Sequence, residues 1–151
     1  MARGVSPAGR LELAYGDIPP SLNETRYQHW RVSSESTRLW IGIWESLLMA
    51  SAMPSRVDRV RARAEIEVPD VWRRRDEGNF RTPIEKTFGD ALSGRGHTFP
   101  NPNPKGKPKK LPVFPEGRWI PDDDPDHFRF GTVKFVAGDS RRTRIILAYW
   151  L

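Results

Sequence analysis

The clearest pattern in the chain is an alternation of apolar and charged residues between Asp58 and Val68. Valine, alanine or isoleucine occupies every second position, and arginine or glutamate fills the positions between. A period of two places all the apolar side chains on one face of a strand. The segment therefore predicts a β-strand with one buried face and one solvated face, ended by Pro69.

A first helix is indicated by apolar residues at three- and four-residue spacing. It should begin near Ser33 or Ser34, either of which can cap the first free amides, and end near Ala52. We expect Trp40 and Trp44 on its apolar face to pack in the core rather than against bases. The piece before it, residues 24–32, shows no period and predicts a mobile basic loop.

A second helix is predicted from about Thr82 to Leu92. The stretch Thr82–Glu85 has the form of a capping box, and Pro83 lies at the first helical position, where no amide is missed.

The remaining periodic segments predict strands. Residues 11–15 alternate weakly, residues 128–137 change phase at Gly131 in the manner of a β-bulge, and residues 143–151 are apolar on both faces, as in a central strand or a subunit contact. The elements together predict an α/β (α+β) fold with a small mixed sheet of about four strands and two main helices, ending in a β-hairpin. We expect a single domain over residues 1–151.

Residues 93–117 differ sharply in composition, with prolines alternating with lysines. Such a segment buries little surface, and we expect a long exposed loop, inserted into the domain. Its lysines either follow a phosphate backbone or merely keep the loop soluble. They are Lys105, Lys107, Lys109 and Lys110.

Charge narrows the choice of partner. The chain of 151 residues has a formal net charge of +6 and a pI of about 10.1, which favours acidic partners, nucleic acid first. It contains no cysteine, which excludes disulfides, thiolate zinc sites and thiol nucleophiles. No apolar run approaches the ~20 residues of a membrane helix, and we expect a cytoplasmic protein.

The candidate phosphate-binding and metal-binding residues are concentrated between Arg73 and Asn79. Three arginines, Arg73, Arg74 and Arg75, run directly into Asp76 and Glu77. Guanidinium groups bind phosphate oxygens in a fork, and carboxylates bind Mg²⁺, which in turn binds phosphate. The other interpretation of Asp76 is an exposed turn aspartate paired with Arg74 or Arg75.

A second acidic cluster, Asp122 to Asp124 with Asp126, can complete such a site from a distance in sequence. Its alternatives are a solvated acidic turn or a loose calcium loop, although the calcium-loop glycine and glutamate are missing. Lys86 either stabilises charge that builds on the phosphorus or forms a surface pair with Asp90. These residues predict a Mg²⁺-dependent nuclease acting on DNA.

The layout resembles the RusA family of Holliday junction resolvases. The shared landmarks are P-P-S-x-N at Pro19–Asn23, an arginine run opening D-x-x-N at Arg73–Asn79, K-x-x-x-D-A-L at Lys86–Leu92, and the double aspartate Asp122–Asp123 before a strand. They occur in the family's order and span the chain from near its start to Phe135. Each motif is weak alone, and the series is fairly specific.

The resemblance implies a small homodimeric endodeoxyribonuclease of bacteria and prophages. It would use Mg²⁺, with Mn²⁺ as a substitute, to cut four-way junctions or other branched DNA in recombination and repair. Asp76 is similar to the family's first metal-binding aspartate, Asp123 to its distal catalytic aspartate with Asp122 beside it, and Lys86 to its active-site lysine.

The chain also departs from the family pattern. Gly78 stands where the family has a second aspartate, so that Glu77 is the candidate for the missing carboxylate. The spacing from Asn79 to Lys86 is one helical turn longer than usual. These departures leave the substrate preference open. The competing function is a non-catalytic basic DNA-binding protein on the same scaffold.

Overall fold

A computed structural model describes residues 5–25 and 30–151, together with the backbone but not the side chains of Thr25 and Trp30. The chain forms a mixed α/β fold with a four-stranded sheet, a two-stranded sheet and three helices in this described part. In chain order the elements are β1 (Gly9–Tyr15), α1 (Leu22–Thr25), α2 (Trp30–Ala50), β2 (Arg59–Val68), α3 (Gly78–Ser93), β3 (Thr98–Pro100), β4 (Lys110–Pro112), β5 (Phe128–Ala137) and β6 (Arg142–Trp150).

The main sheet has the strand order β1-β6-β2-β5, with β2 and β5 parallel and the other neighbours antiparallel. A small mixed sheet of four strands and a central position for the last strand are therefore confirmed. The predicted terminal β-hairpin is wrong, because β2 lies between β5 and β6. The short segment joining them crosses the end of β2, where the Gly138 amide donates to the Val68 carbonyl at 3.2 Å.

One face of the sheet packs against the two long helices. The apolar positions of β2 are all buried there, which confirms the alternation seen in the sequence: Val60, Ala62, Ala64, Ile66 and Val68. Trp44 of α2 is fully buried, and its ring meets the ring of Phe88 in α3 edge-on, with centroids 6.0 Å apart. Trp40 is 5% exposed, so both tryptophans are core residues as predicted.

The predicted bulge in β5 is also confirmed. Ala62 of β2 pairs with Phe130, and Ala64 pairs with Val133, so that Gly131 and Thr132 lie opposite one residue of β2. The extra residue restores the phase of the apolar side chains. Phe130 and Val133 consequently both face the core.

Both helices begin earlier than predicted. α2 starts at Trp30, and the short helix α1 lies in part of the segment predicted as a loop, while residues 26–29 of that segment lie outside the described residues. α3 starts at Gly78 rather than Thr82, so the predicted capping box is wrong. Phe80 gives the physical reason, since its ring packs on Phe135 at 5.3 Å and draws an additional turn into the helix.

Residues 93–117 are not the plain loop that was predicted, because β3 and β4 form a small antiparallel hairpin within them. Side-chain amides organise its tip: Asn101 donates to the Pro108 carbonyl at 2.9 Å, and Asn103 accepts from the Lys105 amide at 3.1 Å. The composition conceals these contacts, since asparagine bonds to nearby backbone without any period. Within the described residues, no helix is long and apolar enough to cross a membrane.

Candidate functional site

Asp76 lies exposed immediately before α3. Its Oδ1 accepts a hydrogen bond from the Gly78 amide at 3.0 Å, one of the amides that a helix start leaves unpaired. Asp76 is exposed, as the alternative interpretation of it as a turn aspartate expects, but it makes no ion pair with any described residue, so the pairing with Arg74 or Arg75 in that alternative is wrong. Glu77, which precedes the first helical residue, is exposed and makes no side-chain capping bond.

The three arginines before Asp76 have different surroundings. Arg75 binds Asp70, with 2.6 Å between Nη2 and Oδ1, and its guanidinium lies 5.3 Å from the centre of the Phe135 ring. The Arg75 hydrogen bond lowers the pKa of Asp70. Arg73 and Arg74 are exposed and form no ion pair within the described residues. Arg73 and Arg74 therefore carry unpaired charge at the surface of the described chain, whereas Arg75 holds the loop.

Asp122 and Asp123 lie at the opposite end of α3. Arg95 bridges them, with its Nη2 2.6 Å from Asp122 Oδ1 and its Nε 3.2 Å from Asp123 Oδ1. A Cβ built on Gly89 would stand 3.5 Å from the Cβ of Asp123 and 3.1 Å from the Phe128 ring. The absence of a side chain at Gly89 thus leaves room for the Phe128 ring, and Asp123 lies beside the same position at ordinary contact distance.

The two carboxyl groups titrate differently. Burial raises the pKa of Asp123, and a hydrogen bond with Asp122 and the negative charge of Asp90 raise it further. Burial acts in the same direction on Asp122, but the Asp123 amide and the Arg95 guanidinium outweigh it and lower the pKa of Asp122. Both carboxylates in turn raise the pKa of Arg95. Asp122 is therefore the carboxyl group of the pair that more readily holds a negative charge.

Lys86 and Asp90 extend this cluster along α3. They form the i,i+4 pair that the sequence allowed, with Nζ 3.5 Å from Oδ2, and the Lys86 side chain is 67% exposed. Asp90 was not among the predicted site residues, although its place in K-x-x-x-D puts it one turn from Lys86 on the same face. We call the five residues the distal acid group: Lys86, Asp90, Arg95, Asp122 and Asp123.

The other acids of the predicted cluster are turn residues. Asp124 Oδ1 accepts from the amides of Asp126 and His127, at 2.9 and 3.2 Å. Such bonds are typical of an aspartate that forms a turn before a strand. A loose calcium loop is therefore not supported by the geometry of Asp124.

The structure does not bring all four predicted metal ligands together. Asp76 is bound to the Gly78 amide, whereas Asp123 lies against Gly89, and these two glycines are separated by about 16 Å along the helix axis at a rise of 1.5 Å per residue. One Mg²⁺ with ligand bonds of about 2.1 Å cannot contact both ends. The prediction that Asp76, Glu77, Asp122 and Asp123 of one chain share a single metal ion is therefore wrong.

Asp122 and Asp123 alone do fit a divalent cation. Mg²⁺ is commonly held by one or two carboxylates, with water and substrate phosphate completing its octahedron. The Arg95 guanidinium, lying within 3.2 Å of both carboxylates, is a stand-in for such a cation. Residues 5–25 and 30–151 contain no group of three or more side chains arranged to hold a metal without help from a substrate.

The lysines predicted to contact DNA lie in and beside the β3–β4 hairpin. Lys105, Lys107, Lys109 and Lys110 are all exposed, and none pairs with an acid in the described part of the chain. The hairpin is tied to the helical layer through Glu45, which is 7% exposed and binds both His97, at 2.6 Å, and Arg118. His97 was assigned no role from the sequence, because the contact joins residues far apart in the chain.

Comparison with known proteins adds no family to this description. No protein-family model matches the chain, and no curated protein matches it either. Support for a function therefore comes from the residues and their geometry.

Proposed function

We propose that the chain is a Mg²⁺-dependent endonuclease that cuts branched DNA, with four-way junctions as its leading substrate. The observation that carries the proposal is the distal acid group, in which Arg95 bridges the carboxylates of Asp122 and Asp123. Asp90 acts on Asp123 by its charge and is itself paired with Lys86, one helical turn before it. These residues also supply two of the motifs that resemble the RusA resolvases, K-x-x-x-D-A-L and the double aspartate.

In this proposal Asp122 and Asp123 hold the metal ion. When bound, Mg²⁺ activates water and neutralises charge on the scissile phosphate. Lys86, which is largely exposed, orients that phosphate and stabilises the charge that develops on it. Asp90 holds Lys86 in place through its ion pair.

The predicted DNA contacts complete the proposal. Arg73 and Arg74, together with the hairpin lysines, bind the backbone on either side of the cut as positive groups without acidic partners among the described residues. A homodimer suits a four-way junction, because two symmetric nicks require two active sites related by a twofold axis. Asp76 and Glu77 have no part in the metal site of the same chain.

Cleavage of synthetic junctions tests the proposal. Wild-type protein with Mg²⁺ or Mn²⁺ should nick a labelled four-way junction faster than a linear duplex of the same sequence. Asp123→Asn should lower the nicking rate by at least about a hundredfold while junction binding persists, since the loss concerns the reaction and not the contact with the backbone. Asp126→Asn, which removes an exposed acid of the same loop, is the matched control and should nick normally.

A second candidate function is a DNA-binding protein without catalysis. Arg95 already neutralises both carboxylates, and the described residues offer no complete metal cage, which favours this alternative. If wild-type protein binds junctions, flaps and forks but never nicks any of them with either metal, the alternative replaces the nuclease.

A further inference from the structure

The face of the main sheet that points away from α2 and α3 carries the charged positions of every strand. The pairing register aligns four residues of this face in one row across the sheet. Arg10 pairs with Ala148, Ala148 pairs with Arg61, and Arg61 pairs with Arg129. We call Arg10, Arg61 and Arg129 the arginine row.

The acidic residues of this face are Glu12, in the row next to the arginine row, and Glu65 and Glu67 farther along the strands. Each of them is already paired with a basic neighbour. Glu65 pairs with Arg63 at 3.1 Å and with Arg144 at 3.9 Å. Arg144 also reaches Glu12 at 3.4 Å and Glu67 at 3.8 Å. This half of the face is an ion-pair network that leaves no glutamate free to neutralise the arginine row.

The arginine row, in contrast, is unpaired. All three arginines are exposed, and none forms an ion pair with a residue of the described chain. Arg129 is braced by a bond from its Nε to the Pro125 carbonyl at 3.0 Å. In the adjacent row, Arg59 lies 4.5 Å from the centre of the Trp150 ring, which adds another guanidinium without an acidic partner in the described residues.

The spacing of the arginine row suits contact with the phosphate backbone of a nucleic acid. Neighbouring strands lie about 4.8 Å apart, so that Arg61 and Arg129 stand side by side while Arg10 lies about 10 Å from Arg61. Ala148, with its short side chain, separates those two. A chain of phosphates laid across the strands meets guanidinium groups on both sides of Ala148.

Charge selects the class of partner. The open face carries eight basic and three acidic side chains, a net charge of +5, compared with +6 for the whole sequence. A second copy of the chain placed on this face would bring like charges together. A phosphate backbone supplies the opposite charge, and guanidinium forks match its oxygens.

We propose that the arginine row binds the phosphate backbone of a DNA arm, on the face of the sheet opposite α3. This inference shares with the proposed function the claim that the partner is DNA. It does not require that the protein cleaves DNA. A branched substrate would then contact two surfaces, one arm near the distal acid group and another across the sheet. This arrangement favours branched over linear DNA, because a single straight duplex does not reach both faces of the sheet.

The test compares two double variants that remove the same net charge. Arg61→Gln/Arg129→Gln alters the row, and Arg38→Gln/Arg141→Gln removes two exposed arginines elsewhere as the control. Binding of the full chain to a labelled four-way junction is measured without Mg²⁺ at several salt concentrations. The row variant should reduce the slope of log K against log salt by about 1.8 and weaken binding roughly tenfold to a hundredfold at 0.1 M salt. The control should keep the wild-type slope.

Equal slopes and affinities for the two double variants would refute DNA binding by the arginine row. That result would leave the proposed function standing if Asp123→Asn abolishes nicking. Loss of junction binding in the row variant supports DNA binding by the arginine row, even if wild-type protein never nicks DNA. The proposal is also overturned if the row variant loses only its binding to vesicles of anionic phospholipid and keeps its affinity for DNA. Circular dichroism confirms that each variant is folded.

Discussion

The contact that locks α2 to α3 is a buried hydrogen bond, and removing its acceptor should be costly. The indole Nε1 of Trp44 donates to the Thr87 hydroxyl at 2.9 Å, and this hydroxyl donates to the Pro83 carbonyl at 2.8 Å. Trp44 is fully buried and Thr87 is 6% exposed, so water cannot replace either partner. Thr87→Val keeps the shape of the side chain but leaves the indole N–H without an acceptor.

An unsatisfied buried donor costs about 1–3 kcal/mol. In a chain of this size, each kcal/mol lowers the Tm by about 2–4 °C, so that Thr87→Val should lower it by roughly 4–8 °C for a loss of 2 kcal/mol. The same substitution in a Trp44→Phe background should be nearly neutral, because the donor is already gone. The difference between the two backgrounds isolates the hydrogen bond.

Thermal and urea unfolding of the wild type, both single variants and the double variant supply the four free energies. A coupling of about 1–3 kcal/mol is expected. If Thr87→Val destabilises the protein equally in both backgrounds, the hydrogen bond does not hold α2 and α3 together. The result matters for function, since α3 carries Lys86 and Asp90 of the distal acid group.

Three further predictions concern single residues. Arg75 lowers the pKa of Asp70 in the folded protein. The stability that this pair contributes is therefore present above the unfolded pKa of about 3.9 and is lost as the pH falls through the folded pKa. Asp70→Asn should lower the Tm at pH 7 and leave the Tm unchanged at the acid end of a pH series. Arg95→Gln removes the cation that competes for both carboxylates, and a Mg²⁺ titration should show half-maximal nicking at a lower metal concentration. Gly94→Ala places a Cβ at a φ of 76° and 2.7 Å from a Phe114 ring atom, which should destabilise the protein by roughly 2 kcal/mol in urea unfolding, whereas Gly16→Ala meets no atom within 4 Å and should not.

Local periodicity predicted the sheet well, because the physics involved is local. The alternation in β2 reflects a strand with one face against the helices, and the phase change at Gly131 reflects an extra residue opposite β2. The strand order is not local. A short connection between consecutive strands is typical of a hairpin, and here β2 occupies the place between β5 and β6 by pairing with both.

The candidate site was predicted in part for the same reason. Lys86 and Asp90 are one turn apart in sequence, so their pairing follows from helical spacing alone. The distance from Asp76 to Asp123 depends instead on the length of α3 and on which of its ends each residue meets. The early start of α3 at Gly78 lengthens the helix and places the two aspartates at its opposite ends.

No pattern in the sequence predicts that Arg95 contacts Asp122 and Asp123. Arg95 follows the glycine that ends α3, a left-handed Gly94 whose amide donates to the Asp90 carbonyl at 3.0 Å. That turn brings the guanidinium back to Asp122 and Asp123, which lie 27 and 28 positions later in the chain. Only the folded chain brings an exposed arginine and this pair of acids into contact.

The central claim is that the metal is held at the Asp122–Asp123 end of α3 and not at the Asp76 end. The most direct measurement is the Mn²⁺ dependence of junction nicking by two double variants, Asp122→Asn/Asp123→Asn and Asp76→Asn/Glu77→Gln. We predict that the first abolishes nicking at every Mn²⁺ concentration while junction binding remains, and that the second titrates with Mn²⁺ as the wild type does. Full activity in the first variant, with loss of activity in the second, would contradict the account.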